Sequence, residues 1–345
     1  MSEADVALVV EQDGQTVSAL VREALCVPWS RARELCRSGR VWLDDVRAAD
    51  PAQRVRRGQQ LRVRPLAKSQ PRTEQAGALA PERIVHLDDA IVVVDKPAGI
   101  SSVPFDEDEH DSLVQRLSLL LRQQARRPLP PLRVVHRLDK DTTGLLVFAR
   151  TREAERALAM QFRRHDLHRR YVGIALGSVR GGTHESLLVP DRGDGVRGSW
   201  RGRGQPPPQA RNAITFVRVD EVMTLVPEAF SAPPGAAVTR AVSWVSCTLQ
   251  TGRTHQIRIH LAESGHPLLG EPVYVRAGAH AVSHWGHPAG VGLRAPAGVG
   301  LRPMLHAAEL GFVHPTAEHE ISLRAPLPDD FAQWRAQLLR LRASL

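Results

Sequence analysis

The sequence predicts an α+β protein built from a small N-terminal module and a much larger second domain. Three observations carry that reading. Strand-length apolar stretches, such as Ile91–Val94, Leu145–Ala149 and the alternating Val242–Leu249, are mixed with helical spacing such as Leu113, Leu117, Leu120 and Leu121. A polar, unpatterned segment, Leu66–Pro81, divides the chain. Ahead of it, Thr16–Pro65 holds eleven arginines against five carboxylates, a net +6.

In chain order, residues 1–15 read as an N-terminal extension, and Thr16–Leu25 has helical spacing. Pro28 interrupts it, and Ser30 is placed to cap a second helix that Gly39 stops. Val41–Leu43 and the end of VRRGQQLRVRP read as strands, so residues 16–65 form a compact module and residues 66–81 its linker. The second domain, residues 82–345, opens with a strand, a DD turn and the strand Ile91–Val94. Asp111 is expected to cap the leucine-striped helix, and Thr151 the helix REAERALAMQF. Strands follow at Tyr171–Leu176, Ile214–Val219 and Val242–Leu249. THQIRIHLAESG reads as a helix from Thr254 to Gly265, and a closing helix lies near Asp330–Ser344. Residues 190–212 and 276–303, the latter with the tandem repeat AGVGLRAP–AGVGLRP, have too few large side chains to bury a core and read as mobile insertions.

The chain of 345 residues is 42% hydrophobic and 24% charged, which is ordinary for a globular protein. No apolar run approaches the roughly 18 residues of a membrane span. The start, MSEADVALVVEQDG, is acidic where a signal or transit peptide is basic. Cys26, Cys36 and Cys247 form no CxxC pair, which argues against a disulfide framework or a zinc ribbon. A cytoplasmic monomer is the expectation. The net charge of +9 suggests a polyanionic partner, most simply nucleic acid.

The stretch VVHRLDKDTTGLLVFAR, Val134–Arg150, crowds charge ahead of an apolar strand. Asp139 lies in the loop entering that strand, where a rigid sheet can present a side chain. Such a carboxylate can be a nucleophile, an acid/base group, a metal ligand or half of a structural ion pair. Metal binding is the weakest choice, because no ligand-spaced His/Cys pair or carboxylate cluster lies nearby. His280, His284 and His287 have helical metal spacing, but their glycine-rich setting favours chance. For an isolated aspartate the ion pair would win.

The surrounding residues resemble the signature loop of RluA-type pseudouridine synthases, His-Arg-Leu-Asp, two variable residues, Thr-Ser-Gly, then an apolar strand. His136–Asp139 and Thr142–Gly144 match, with Thr143 for the usual Ser. Further segments match in the family's order: DDAIVVVDKPAGISSVP, RRYVGIALG with Arg169 at a Lys position, LQTGRTHQIRIHLAESGHPLLGEPVY and MLHAAELGFVHP. The N-terminal SRARELCRSGRVWLDD and VRRGQQLRV are similar to the S-four-type RNA-binding domain.

The resemblance implies a mostly antiparallel mixed sheet in the second domain, no cofactor, and isomerisation of uridine in structured RNA, with large-subunit ribosomal RNA favoured over transfer RNA. It implies catalytic roles for Asp139 as nucleophile, Arg258 as its cation and Tyr171 at the base. Arg137, His136, Arg253 and His255 are expected to touch RNA, as are Arg31, Arg33, Arg37 and Arg40 of the module. Trp29 and Trp42 are assigned to the module's core before base stacking. Two rivals are a non-catalytic RNA-binding or ribosome-assembly factor, which the retained Asp, Tyr and Arg oppose, and the sister synthases whose loop begins Gly-Arg-Leu-Asp, which His136 opposes.

Overall fold

Val6–Val9, placed by sequence in an extension, is strand β1 of the small unit and pairs antiparallel with β4 (Gln60–Val63). The computed structural model describes residues 5–48, 50–67, 77–104, 109, 111–125, 128–226, 230–231, 241–274, 292–293, 295–296 and 298–343. The chain divides into two units: Met1–Thr73 with Ser186–Asn212 and Pro272–Ala279, and the remainder.

In the small unit, Thr16 caps α1 (Val17–Leu25) by accepting the Ala19 N–H at 3.1 Å. Helix α2 (Trp29–Arg37) starts directly after Pro28, ahead of the expected Ser30 cap, because the fixed φ of proline suits a helix entry. β2 (Val41–Leu43) and β3 (Val46–Arg47) complete a sheet of order β1-β4-β2-β3. Val17, Val21, Leu35, Val41, Leu61 and Val63 are its buried core. Neither tryptophan joins that core. The guanidiniums of Arg47 and Arg64 lie over the Trp42 ring, and those of Arg22 and Arg33 over the Trp29 ring.

The first part of the insertion at residues 190–212, up to about Ser199, is packed structure in this unit and not a free loop, while residues 201–206 are exposed. Gly195, at φ +78°, lies so close to the Trp29 ring that a Cβ would collide with it. Arg33 donates to the Gly195 carbonyl at 3.0 Å, and Arg54 pairs with Asp194 at 3.4 Å. Asp191 accepts the N–H groups of Gly193 and Gly195, both at 2.8 Å. The insertion has few large side chains, so backbone and charged contacts hold it.

The large unit begins with β5 (Ile84–Leu87), β6 (Ile91–Lys96), α3 (Leu113–Gln124), β7 (Arg133–Val134), β8 (Thr143–Ala149), α4 (Arg152–Arg164) and β9 (His168–Leu176). After β10 (Gly182–Val189), whose end pairs with β11 (Gly198–Ser199) inside the small unit, come β12 (Arg211–Thr224), β13 (Phe230–Ser231), β14 (Ala241–Leu249) and α5 (Gln256–Glu263). β15 (Gly292–Leu293), β16 (Leu305–Val313), β17 (Glu320–Arg324) and α6 (Asp329–Arg340) close it. The main sheet runs β12-β14-β9-β16-β8-β6-β5, antiparallel except where β16 meets β8.

β6 and β8 read as continuous apolar runs because both of their faces are covered. Val92, Val94, Leu146 and Phe148 share a core with the leucines of α3, while Ile91, Val93, Leu145 and Val147 share one with Ala154 and Leu158 of α4. Ser112, not Asp111, caps α3, in a capping box with Gln115; Asp111 pairs with Arg116 at 2.6 Å. Thr151 caps α4 as expected. In the tandem repeat, Leu293 and Val299 pack against Trp244, Phe331 and Trp334, so that part is no solvated insertion. His280, His284 and His287 lie outside the described residues, as does much of the linker.

Gly144, the second residue of β8, is a position that requires glycine. Its φ is +108°, and a Cβ would run into the Ala307 backbone across the parallel pairing of β8 with β16. Gly144→Ala combines backbone strain with overpacking, and we expect a loss on the order of 3 kcal/mol or more. Chemical denaturation of the two proteins measures it; a loss below roughly 1 kcal/mol would mean that the strands separate easily.

Candidate active site

Asp139 occupies the loop that enters β8, and nearly every backbone group around it is held from beneath. The Ser102 hydroxyl donates to the Leu138 carbonyl at 2.8 Å and accepts the Leu138 N–H at 3.0 Å, pinning the preceding residue. The Thr142 N–H closes a turn on the Asp139 carbonyl at 3.1 Å. Lys96, fully buried at the end of β6, donates to the carbonyls of Pro97, Lys140 and Thr142 at 2.9, 2.7 and 3.0 Å. An ammonium has three N–H bonds, and three carbonyls receive them.

The side chain of Asp139, 20% exposed, faces two groups at the start of α5. Arg258 Nη1 lies 3.6 Å from Oδ2, and His255 Nε2 lies 3.8 Å from Oδ1. The helix begins at Gln256, later than the expected Thr254, because His255 takes a left-handed conformation at φ +59° and serves as its N-cap residue. Gln256 fastens this corner: its Oε1 accepts from Thr251 and the Arg253 N–H, and its Nε2 donates to Ile214 and Thr215 on β12. Arg258 is buried, and its Nε and Nη2 both donate to Glu271 at 2.7 Å. Glu271 therefore sets the plane of the guanidinium and turns Nη1 toward Asp139.

Tyr171, in mid-sheet on β9, pairs with Cys247 of β14 and Ala307 of β16. Burial pushes its phenol up to about 12, with Arg169 opposing and Asp139 reinforcing the shift. It is a neutral phenol at neutral pH, suited to stacking and hydrogen bonding, and not a standing base. Arg169 is also buried; it donates to the carbonyls of Leu249 and Gln250 and lies over the Phe162 ring.

The expected RNA contacts separate into two groups. Arg137 is exposed beside Asp139, and Arg253 is half-buried next to α5. His136 instead braces the loop: its ring stacks on Phe162 at 4.5 Å and its Nε2 accepts the Val147 N–H at 3.1 Å. Burial, with Arg169 nearby, pushes that imidazole down to about 3. In the small unit Arg31 and Arg40 pair with Glu34, Arg33 holds Gly195, and Arg37 is exposed.

Sequence reasoning missed Lys96, Glu271 and Arg302 as parts of the site. The first two stood inside quoted motifs, with no mark to separate them from packing residues. Among the described residues, His86, Asp88 and His314 have the proximity of metal ligands. The His314 Nδ1, however, accepts the Ala317 N–H at 2.9 Å, so its proton is on Nε2, which donates to Asp88. That is a hydrogen-bonded link between two turns, and Nε2 has no lone pair for a metal.

Burial pulls the Lys96 ammonium from 10.5 down to about 7, against the attraction of Asp141 and Asp139. Between these values the unfolded chain holds a proton that the folded chain has lost, so stability rises with pH across the window, by at most about 1.4 kcal/mol per unit. Melting wild type and Lys96→Met from pH 7 to 9 should show this extra slope in wild type alone. Identical slopes would mean that the ammonium is not strained.

Residues 90–263 match the family model described as RNA pseudouridylate synthase. The chain is 32% identical over 320 residues to the ribosomal large subunit pseudouridine synthase D of Xanthomonas campestris pv. campestris, covering 90% of this chain and 84% of that one. It is 34% identical over 310 residues to the protein of the same name from Nitrosomonas europaea, covering 88% and 79%. The solved human RNA pseudouridylate synthase domain containing 4 shares the fold, with a TM-score of 0.54 at 22% identity over 76% of this chain and 95% of that one. A matched segment that contains Asp139, Tyr171 and Arg258, and relatives aligned over most of the chain, place this protein in the RNA pseudouridylate synthase family, as an isomerase acting on RNA.

Proposed function

We propose that this protein converts uridine to pseudouridine in large-subunit ribosomal RNA, with Asp139 as the nucleophile. The observation that carries this reading is a carboxylate at the end of a braced loop, faced by a buried arginine whose orientation a second carboxylate sets. The names of the relatives favour ribosomal RNA as the substrate.

The reaction breaks the bond between the ribose anomeric carbon and uracil N1, and joins that carbon to ring carbon 5. Carbon 5 loses a proton and N1 gains one, so atoms balance without a cofactor. Asp139 attacks either the anomeric carbon or the ring, and each route needs the carboxylate ionised while bound RNA excludes water. Desolvation alone would favour the protonated acid, and Arg258 opposes it. The neutral Tyr171 ring is suited to packing on an extruded uracil, and exposed Arg137 to the neighbouring backbone or the vacated stack.

Asp139→Asn is nearly isosteric, so RNA affinity should persist while single-turnover pseudouridine formation falls on the order of 10³-fold or more. Retained turnover in that variant, with loss in Asp141→Asn, would move the nucleophile to Asp141. Mapping pseudouridines in ribosomal and transfer RNA, from cells with and without the gene, tests the substrate.

The small unit supplies the sequence-independent part of RNA binding in this reading, through its excess of arginine. Arg37 and Arg57 are exposed. Arg37→Glu with Arg57→Glu should weaken RNA binding and flatten its salt dependence by about two phosphate contacts. Unchanged affinity and slope would remove these two arginines from the interface.

A further inference from the structure

We propose that Arg302 is a positioning residue for pseudouridine formation, holding the backbone of the Asp139 loop at the height from which its carboxylate attacks. The inference rests on Asp139 as nucleophile and adds a residue at the end of the tandem repeat, outside the matched segment 90–263.

Arg302 is 6% exposed, and its fork is divided between two tasks. Nε and Nη2 grip Asp330, in the first turn of α6, at 2.6 and 3.0 Å. Nη1 donates to the carbonyl of Asp141 at 3.0 Å, and to those of Pro303 and Leu305 at 3.1 and 3.2 Å. Nη2 also reaches the Thr143 hydroxyl at 3.4 Å, which meets His306 Nδ1 at 2.9 Å. The guanidinium lies over the Phe331 ring, 5.5 Å from its centroid.

Arg302 thereby completes what Lys96 begins. Lys96 takes the carbonyls of Lys140 and Thr142, and Arg302 takes that of Asp141 between them. Three successive carbonyls after the nucleophile thus end on two buried basic side chains. Loss of the Arg302 fork frees the middle of the loop, and a shift of about 1 Å in a reacting group costs on the order of 100-fold in rate. Arg302 is buried and its contacts are to Asp330 and to the backbone and Thr143 around the loop, so RNA affinity should not depend on it.

The test uses the full-length protein with Arg302→Lys, which keeps the buried charge but cannot serve Asp330 and the loop together. Arg302→Met is the second variant. Folded fraction, RNA dissociation constant and single-turnover rate per folded molecule are measured for each, beside wild type and Asp139→Asn. The expected result for Arg302→Lys is a rate about 30- to 100-fold below wild type, with RNA affinity within about threefold. Arg302→Met should be at least as slow wherever it folds, and guanidinium ion in the buffer should restore part of its rate. A normal rate per folded molecule in Arg302→Lys would overturn the proposal, and so would a loss traced to weaker RNA binding. Full activity in Asp139→Asn would refute the site assignment itself; an inactive Asp139→Asn with a normal Arg302→Lys would refute only the role of Arg302.

Discussion

The contact on which the arrangement of the site depends is that of Arg258 with Asp139, a buried guanidinium facing a carboxylate on a braced loop. Arg258 is itself buried, so its charge also needs compensation. Glu271, with no exposed side-chain surface, provides it and occupies one edge of the guanidinium. What remains for Asp139 is the other end of the fork, in a fixed plane. The separation of 3.6 Å is an ion pair of moderate contact, longer than a hydrogen bond.

The same device appears twice. Arg302 gives Nε and Nη2 to Asp330 and directs Nη1 at the loop, as Arg258 gives those atoms to Glu271 and directs Nη1 at the carboxylate. One arginine addresses the side chain of Asp139 and the other the backbone of the loop that carries it. Lysine could not do either, because a point charge has no second edge. Lys96 has a different task, filling a pocket of carbonyls at the end of β6.

Much of this was legible in the sequence where local chemistry decides. The apolar run of β8, the cap at Thr151 and the paired strands around the DD turn follow from side-chain period and capping. Asp139 and Arg258 were legible through motif context, and they meet in space. Strand β1, only four residues long, was missed because such a segment is marked as a strand only when β4 supplies the partner. β16 and β17 were missed for the same reason. His136 was assigned to RNA because a histidine beside the Asp139 loop carries no sign that Phe162 and the Val147 N–H have claimed it. Arg302 was invisible because its partners, Asp141 and Asp330, are far from it in the chain and composition marked its surroundings as loop.

The docking of Gly195 on Trp29 has a consequence for how the chain is made. Arg33 and Gly195 are 162 residues apart, and Arg54 and Asp194 are 140 apart. Domains at the start of a chain ordinarily fold as units while synthesis continues. Here the two helices and four strands emerge early, but the segment that covers Trp29 is translated only after β5 to β10 of the large unit. The small unit is therefore first to appear and late to be completed. Trp29 lacks its cover until Gly195, 166 residues later, has been made, and the final packing of the N-terminal module waits on a segment from the middle of the gene.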